Sequence, residues 1–187
     1  MKPLMSVRKL ASLIGVPPSR LREIDREIAT NLASHYIVFS RLDPTKSKSR
    51  IFRNPRPELK MIQRRILHNV LSQIGVHGIA HGGIRGRSPA SNASQHLGTQ
   101  CVVTVDVRDF FPSVRHYAVY RMLRQELGFG RQVSRLLTRL TTVNSQLPQG
   151  APTSTAMANL LLSLAVDERK RPPKPPVSTT GLVGRYA

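Results

Sequence analysis

Two aspartates, Asp106 and Asp109, stand three residues apart at the end of the run Cys101-Val-Val-Thr-Val-Asp-Val107. A carboxylate carried out of the end of an apolar strand can hold Mg2+ against substrate phosphates, since Mg2+ is a hard cation that takes one or two carboxylates plus phosphate oxygens. Strand alternation puts Val102, Thr104 and Asp106 on one side. A single carboxylate holds Mg2+ poorly, so acidic help has to come from elsewhere. The same residues also suit a plainer reading, in which Asp106 ends the strand and caps a turn. Spacing alone leaves both open.

Three further segments carry chemistry-bearing side chains. Pro148-Gln-Gly-Ala-Pro-Thr-Ser154 places backbone amides and small residues just before an expected helix, which suits an anion or a closely approaching nucleotide. It equally suits a proline-stiffened turn with Thr153 or Ser154 as the helix cap. Lys46, Lys48 and Arg50 occupy a short basic turn that can close over phosphates, although charged hairpin tips need no ligand. Gly82 to Arg87 is a glycine-rich loop with two guanidiniums, Arg85 and Arg87. The six histidines show no metal-ligand spacing, and His77 and His81 sit among glycines. Cys101 is the one cysteine, which excludes an internal disulfide and a cysteine-based zinc cluster.

These residues need elements to position them. Ser19 is placed to cap a helix running to about Ser34, with Leu21, Ile24, Ile28 and Leu32 on one face. A short strand at Tyr36–Phe39, the basic turn Asp43–Arg50 and an extended Ile51–Phe52 follow. The spacing then predicts a helix from Glu58 to about Ile74, with Leu59, Ile62, Ile66 and Val70 inward and Lys60, Arg64 and Arg65 outward. Residues 77–90 read as a loop or paired turns, followed by a short helix near Asn92–Leu97. Cys101–Val107 is the strongest strand signal, and being apolar on both faces it is expected at the centre of a sheet. Helices are expected at about Ala118–Leu127, Gln132–Thr142 and Ser154–Asp167. The prolines after Arg171 forbid a helix there and favour an extended tail.

The whole chain bounds these readings. Its 187 residues include 29 Lys and Arg against ten Asp and Glu, a formal charge of +19. Self-repulsion on that scale is relieved by a polyanion, and nucleic acid fits best because each neutralised phosphate releases counterions. A merely solubilising basic surface is the bland alternative. Hydrophobic residues at 40% and aromatic residues at 5% describe a folded chain held by aliphatic packing. No apolar run is long enough to span a bilayer, and Met1–Leu13 lacks the apolar core of a secretory signal, so the expectation is a cytoplasmic protein with no membrane partner.

Taken in order, the segments resemble reverse transcriptases of the retron type. Val105-Asp-Val-Arg-Asp-Phe-Phe-Pro-Ser-Val114 is similar to the family's first palm motif. Leu147-Pro-Gln-Gly-Ala-Pro-Thr-Ser154 with Ala158-Asn-Leu160 is similar to the next. Arg50 followed by Asn54-Pro-Arg-Pro-Glu-Leu-Lys-Met-Ile-Gln63 looks like the fingers segment. Gly86-Arg-Ser-Pro-Ala-Ser-Asn-Ala93 with His96 looks like the segment before the palm strand. The likeness covers about Tyr36 to Asp167. It implies an α+β fold, the fingers and an incomplete palm of a right-hand polymerase: a helical region at 1–35, fingers at 36–100, partial palm at 101–168 and a Pro-rich tail at 169–187, with the thumb absent.

The resemblance also implies roles. Asp106 is similar to the first metal-binding aspartate, with the backbone of Val107 at the metal and Asp109 near the triphosphate. Phe111 resembles the bulky residue that disfavours a 2'-hydroxyl, Gln149 the glutamine that braces nucleotide and template, and Arg50 the fingers cation that grips the triphosphate. Lys60, Arg64, Arg85 and Arg87 are candidates for nucleic-acid contact. The implied reaction is RNA-templated DNA synthesis by two-metal phosphoryl transfer, with Mg2+ as cofactor. The implied partners are a structured RNA template and primer, deoxynucleoside triphosphates and an effector protein in antiphage defence. A group II intron or diversity-generating relative, and a non-catalytic RNA-binding remnant, are the competing readings.

Departures from the family pattern are specific. The family continues into a Tyr-Ala-Asp-Asp hairpin, whereas this sequence ends at Arg185-Tyr186-Ala187, so the chain alone is expected to be inactive. Gly83 stands where an aromatic is usual, Thr155 where proline is usual and Phe52 where isoleucine is usual.

Overall fold

The computed structural model describes residues 2–43 and 48–168. Lys46 and the Pro-rich tail lie outside them. The described chain is α+β, with a two-stranded antiparallel sheet and a helical core. Helices α1 (Val7–Ile14), α2 (Pro18–Thr30), α3 (Pro57–Asn69) and α7 (Arg131–Thr141) pack around Leu10, Ile14, Leu21, Ile24, Leu59, Ile62, Ile66, Leu137 and Leu140, all under 2% exposed. Burying a side chain of this size contributes roughly 1.5–3 kcal/mol. Aliphatic packing is thus the main stabilising contribution, as the scarcity of aromatics implies.

Three polar devices fix how the helices meet. Arg20 on α2 donates to both carboxylate oxygens of Glu58, at 2.8 and 2.7 Å, and also pairs with Glu23 and Glu27 at 2.7 and 2.9 Å. This joins α2 to the first turn of α3, and the guanidinium holds the Glu58 carboxyl below its usual range. Buried Gln63 donates to the Tyr36 hydroxyl at 3.2 Å and to the Leu140 carbonyl at 2.7 Å, locking α3 to β1 and α7. Burial pushes the Tyr36 phenol up to about 12. Arg65 donates to the carbonyls of Ile14 and Gly15 at 3.1 and 2.8 Å, satisfying orphan acceptors at the end of α1.

Strands β1 (Tyr36–Asp43) and β2 (Lys48–Pro55) form a hairpin longer than the short runs the sequence suggests, with Phe39 stacked on Phe52 at 5.4 Å. Helix α2 begins at Pro18 without a side-chain cap, so Ser19 does not cap it, and it ends at Thr30. Helix α3 stops at Asn69 and passes into a single 3-10 turn, Leu71–Gln73. Helix α1, capped by Ser6 accepting from the Lys9 amide at 3.2 Å, is additional to the elements expected from sequence.

The remaining elements are α4 (Pro89–Ala93), α5 (Phe110–Ser113), α6 (His116–Arg121), which runs into a π-helical turn at Met122–Glu126, and α8 (Ser154–Glu168). The main correction concerns Cys101–Val107. It is not a strand: the segment carries no regular structure, and Val103 and Val105 are 79% and 82% exposed. A strand needs a partner for its ladder, and no described strand pairs with it.

Candidate functional site

The turn that presents Asp106 is built locally. After the extended run, Asp109 adopts left-handed backbone (φ 48°), which Asp tolerates better than most residues. Its carbonyl accepts from the Ser113 amide at 3.0 Å and the Ser113 hydroxyl at 2.9 Å, closing the one-turn helix α5. Pro112 is accommodated because it lies in the first turn, where the amide has no helical acceptor. Phe110 and Phe111, both half-buried, meet edge to face at 5.9 Å.

The second wall comes from far along the chain. Asn144 and Ser145, at φ 47° and 60°, make a two-residue turn whose flanks, Val143 and Gln146, exchange backbone hydrogen bonds of 2.9 Å. Two positive φ angles in succession are what a tight hairpin requires. The turn docks on the end of α5 through His116 N to Ser145 O at 2.9 Å and Leu147 N to Val114 O at 3.2 Å. The loop 147–153 then crosses to the hairpin, where the Arg53 amide donates to the Gln149 carbonyl at 2.8 Å. Ser154 donates its hydroxyl back to the Pro148 carbonyl at 2.6 Å, so it braces the loop instead of capping α8. The Thr153 hydroxyl is buried without a partner, so it caps nothing either.

These three pieces enclose a cleft of about 750 Å3 lined by residues that include Arg50, Arg53, Asp106, Val107, Asp109, Phe111 and Gln149. All six residues assigned to metal, nucleotide or catalysis from sequence therefore face one space. That volume lies within the range typical of small-molecule pockets, roughly 300–1,000 Å3. The wall carries Arg50, Arg53 and Arg108 against two carboxylates. Register sets Arg41 directly across from Arg50, a like-charge pairing that favours an acid or anion nearby.

The four residues assigned to nucleic-acid contact are elsewhere. Lys60 donates to Asn54 Oδ1 at 3.1 Å and shares with exposed Arg64 a separate groove beside Ile37 and Met61. Arg85 is exposed on the glycine loop. Arg87 is engaged within that loop, donating to Gly78 O at 2.6 Å and to Ala80 O, which makes it a loop staple. Asn159 on α8 donates to the Gly82 carbonyl at 2.7 Å, and Ser163 accepts from the His77 amide at 2.9 Å. With Thr155 against Gly83, residues one turn apart on α8 hold the loop, a role that sequence reading did not assign to them. Among the described residues no group of three His, Cys, Asp or Glu is placed to hold a metal ion.

No family model matches the chain. The retron Mx162 reverse transcriptase of Myxococcus xanthus is 38% identical over 89% of the chain and 37% of its own length. The retron Se72 reverse transcriptase of Salmonella heidelberg is 30% identical over 85% of the chain and 41% of its own length. The retron Ec86 reverse transcriptase of Escherichia coli is 33% identical over 63% of the chain and 37% of its own length. All three are named as reverse transcriptases, and the likeness covers 63–89% of the chain. The resemblance is to the retron type, and the chain spans 37–41% of the length of these curated relatives. No described helix is long and apolar enough to cross a membrane.

Proposed function

We propose that the chain carries the nucleotide-binding half of a retron-type polymerase active site, with 36–100 as fingers and 101–168 as part of the palm. The convergence of Arg50, Asp106, Val107, Asp109, Phe111 and Gln149 on one cleft carries the reading. Arg50 and Arg53 neutralise a triphosphate, and a guanidinium fork suits paired phosphate oxygens. Phe111 forms the floor on which a deoxyribose rests and excludes a 2'-hydroxyl by bulk. Gln149, pinned through its backbone to β2, offers a neutral amide to the base or template. The donor set of Asp106, Asp109 and the Val107 carbonyl fits a Mg2+ that arrives with its phosphates, because such ions need only one or two protein carboxylates. When bound, Mg2+ supplies charge neutralisation at the reacting phosphate. In this reading the whole polymerase copies a structured RNA from a primer, in the cytoplasm, and serves antiphage defence with an effector protein.

Two carboxylates in the cleft favour a second reading for the chain alone. Two-metal transfer needs more acidic ligands than the described residues bring together, so the 187-residue chain binds nucleotide and RNA without polymerising. Primer extension on an RNA template with Mg2+ separates the two readings. Binding without incorporation supports the second; template-dependent incorporation abolished by Asp106→Ala would overturn it and establish polymerase activity in this chain. Absence of both nucleotide and RNA binding would sink the proposal altogether.

A further inference from the structure

Helices α2 and α7 pack together and leave a cleft of about 370 Å3 between them, lined by Val7, Arg22, Asp25, Gln132, Arg135, Leu136 and Arg139. It shares no residue with the cleft containing Asp106. Three guanidiniums face one carboxylate there. Asp25 Oδ2 accepts from Arg139 at 2.8 Å, which neutralises that arginine and fixes it. Arg22 and Arg135 are exposed, and among the described residues no carboxylate pairs with either. Arg20 on the same helix shows the contrast, since Glu23, Glu27 and Glu58 surround it.

The cations are also arranged in rows. Arg131, Arg135 and Arg139 recur every fourth residue on α7, and Arg22 and Arg26 do the same on α2. Four residues of α-helix advance about 6 Å, so each row is a line of charges along a helix axis. A line of cations beside a cleft suits a linear polyanion better than an isolated carboxylate, and the chain's surplus of positive charge points the same way. We propose that the α2–α7 cleft is a second nucleic-acid surface, binding the phosphate backbone of folded RNA through Arg22 and Arg135. It rests on the polymerase reading only for the kind of polymer, and it acts as a hold on RNA away from the nucleotide cleft.

The test is the salt dependence of binding a fluorescein-labelled RNA hairpin to the full chain. Arg22→Gln/Arg135→Gln should lower the slope of log K against log salt by roughly 1.5 and weaken binding about tenfold. Arg26→Gln/Arg131→Gln should give a smaller fall, and Arg115→Gln/Arg121→Gln, which removes the same charge elsewhere, should change little. Equal falls in all three pairs, or no fall in the first, would overturn the assignment. So would loss of poly-glutamate binding in the first pair with RNA binding intact, which marks an acidic protein as the occupant. Magnesium-dependent dTTP binding is measured alongside. Its presence with an unchanged RNA slope defeats only this surface, whereas its absence with the slope reduced defeats only the polymerase reading.

Discussion

The Arg53 amide donates to the Gln149 carbonyl at 2.8 Å, and this bond ties the β1–β2 hairpin to the loop that faces Asp106. Gly150 makes it possible. Its φ of +104° is a conformation that side-chain-bearing residues rarely adopt, yet a Cβ there would meet only ordinary contacts, the nearest being Arg53 O at 3.6 Å. The cost of substitution is therefore conformational rather than steric. Gly150→Ala should destabilise the chain by about 1–3 kcal/mol in denaturant melts and weaken dTTP binding. Unchanged stability would mean that the loop relaxes without using this backbone geometry.

Gly83 and Thr155 form a second dependent pair. A Cβ at Gly83 would lie 2.6 Å from Thr155 Cγ2, and Gly83 sits at φ +68°. Both are positions where the sequence was expected to differ from the family it resembles, and a side chain added at Gly83 would meet that of Thr155. Gly83→Ala should cost roughly 2 kcal/mol or more, part of it from left-handed backbone and part from the clash. Thr155→Ser removes the offending methyl and should restore the steric part. A double-mutant cycle by thermal melts measures it, and strict additivity would refute the contact.

His116 supplies a pH signature. Its Nδ1 lies 2.8 Å from the Thr142 hydroxyl, which itself donates to the Thr138 carbonyl at 2.7 Å, so Nδ1 carries the proton that Thr142 accepts. Burial, and then the nearby Arg139 charge, lower its pKa below 6.5. The unfolded chain thus takes up a proton more readily. Stability is full above about 6.5 and falls as pH drops from there through the folded value. His116→Gln should flatten the melting curve across that window. Glu58, also depressed, begins to lose its contribution only below its unfolded value of 4.5, so the fall that starts near 6.5 belongs to His116.

Much of the fold was legible, for reasons local to each segment. Leu21, Ile24 and Ile28 on α2 and Leu59, Ile62 and Ile66 on α3 repeat at helical spacing and are buried as that spacing requires. Helix α1 carries the same kind of signal in its cap Ser6 and its buried Leu10 and Ile14. The failure at Cys101–Val107 is of another kind. Valine-rich sequence specifies a preference for extended backbone, whereas a strand exists only where a second segment supplies hydrogen bonds, and the described chain contains none for it. The cleft joins residues as distant as Arg50 and Gln149, a distance in sequence that no periodicity reveals. Only the ordered motifs suggested their association, and the hold of Thr155, Asn159 and Ser163 on the glycine loop carried no such motif.

Titrating dTTP into the chain with and without Mg2+, in wild type and in Asp106→Asn, tests the central claim most directly. If Asp106 holds the metal that accompanies a nucleotide, Mg2+ tightens wild-type binding by roughly tenfold or more, and the variant loses that gain while keeping the metal-free affinity. An equal response to Mg2+ in both proteins would contradict it.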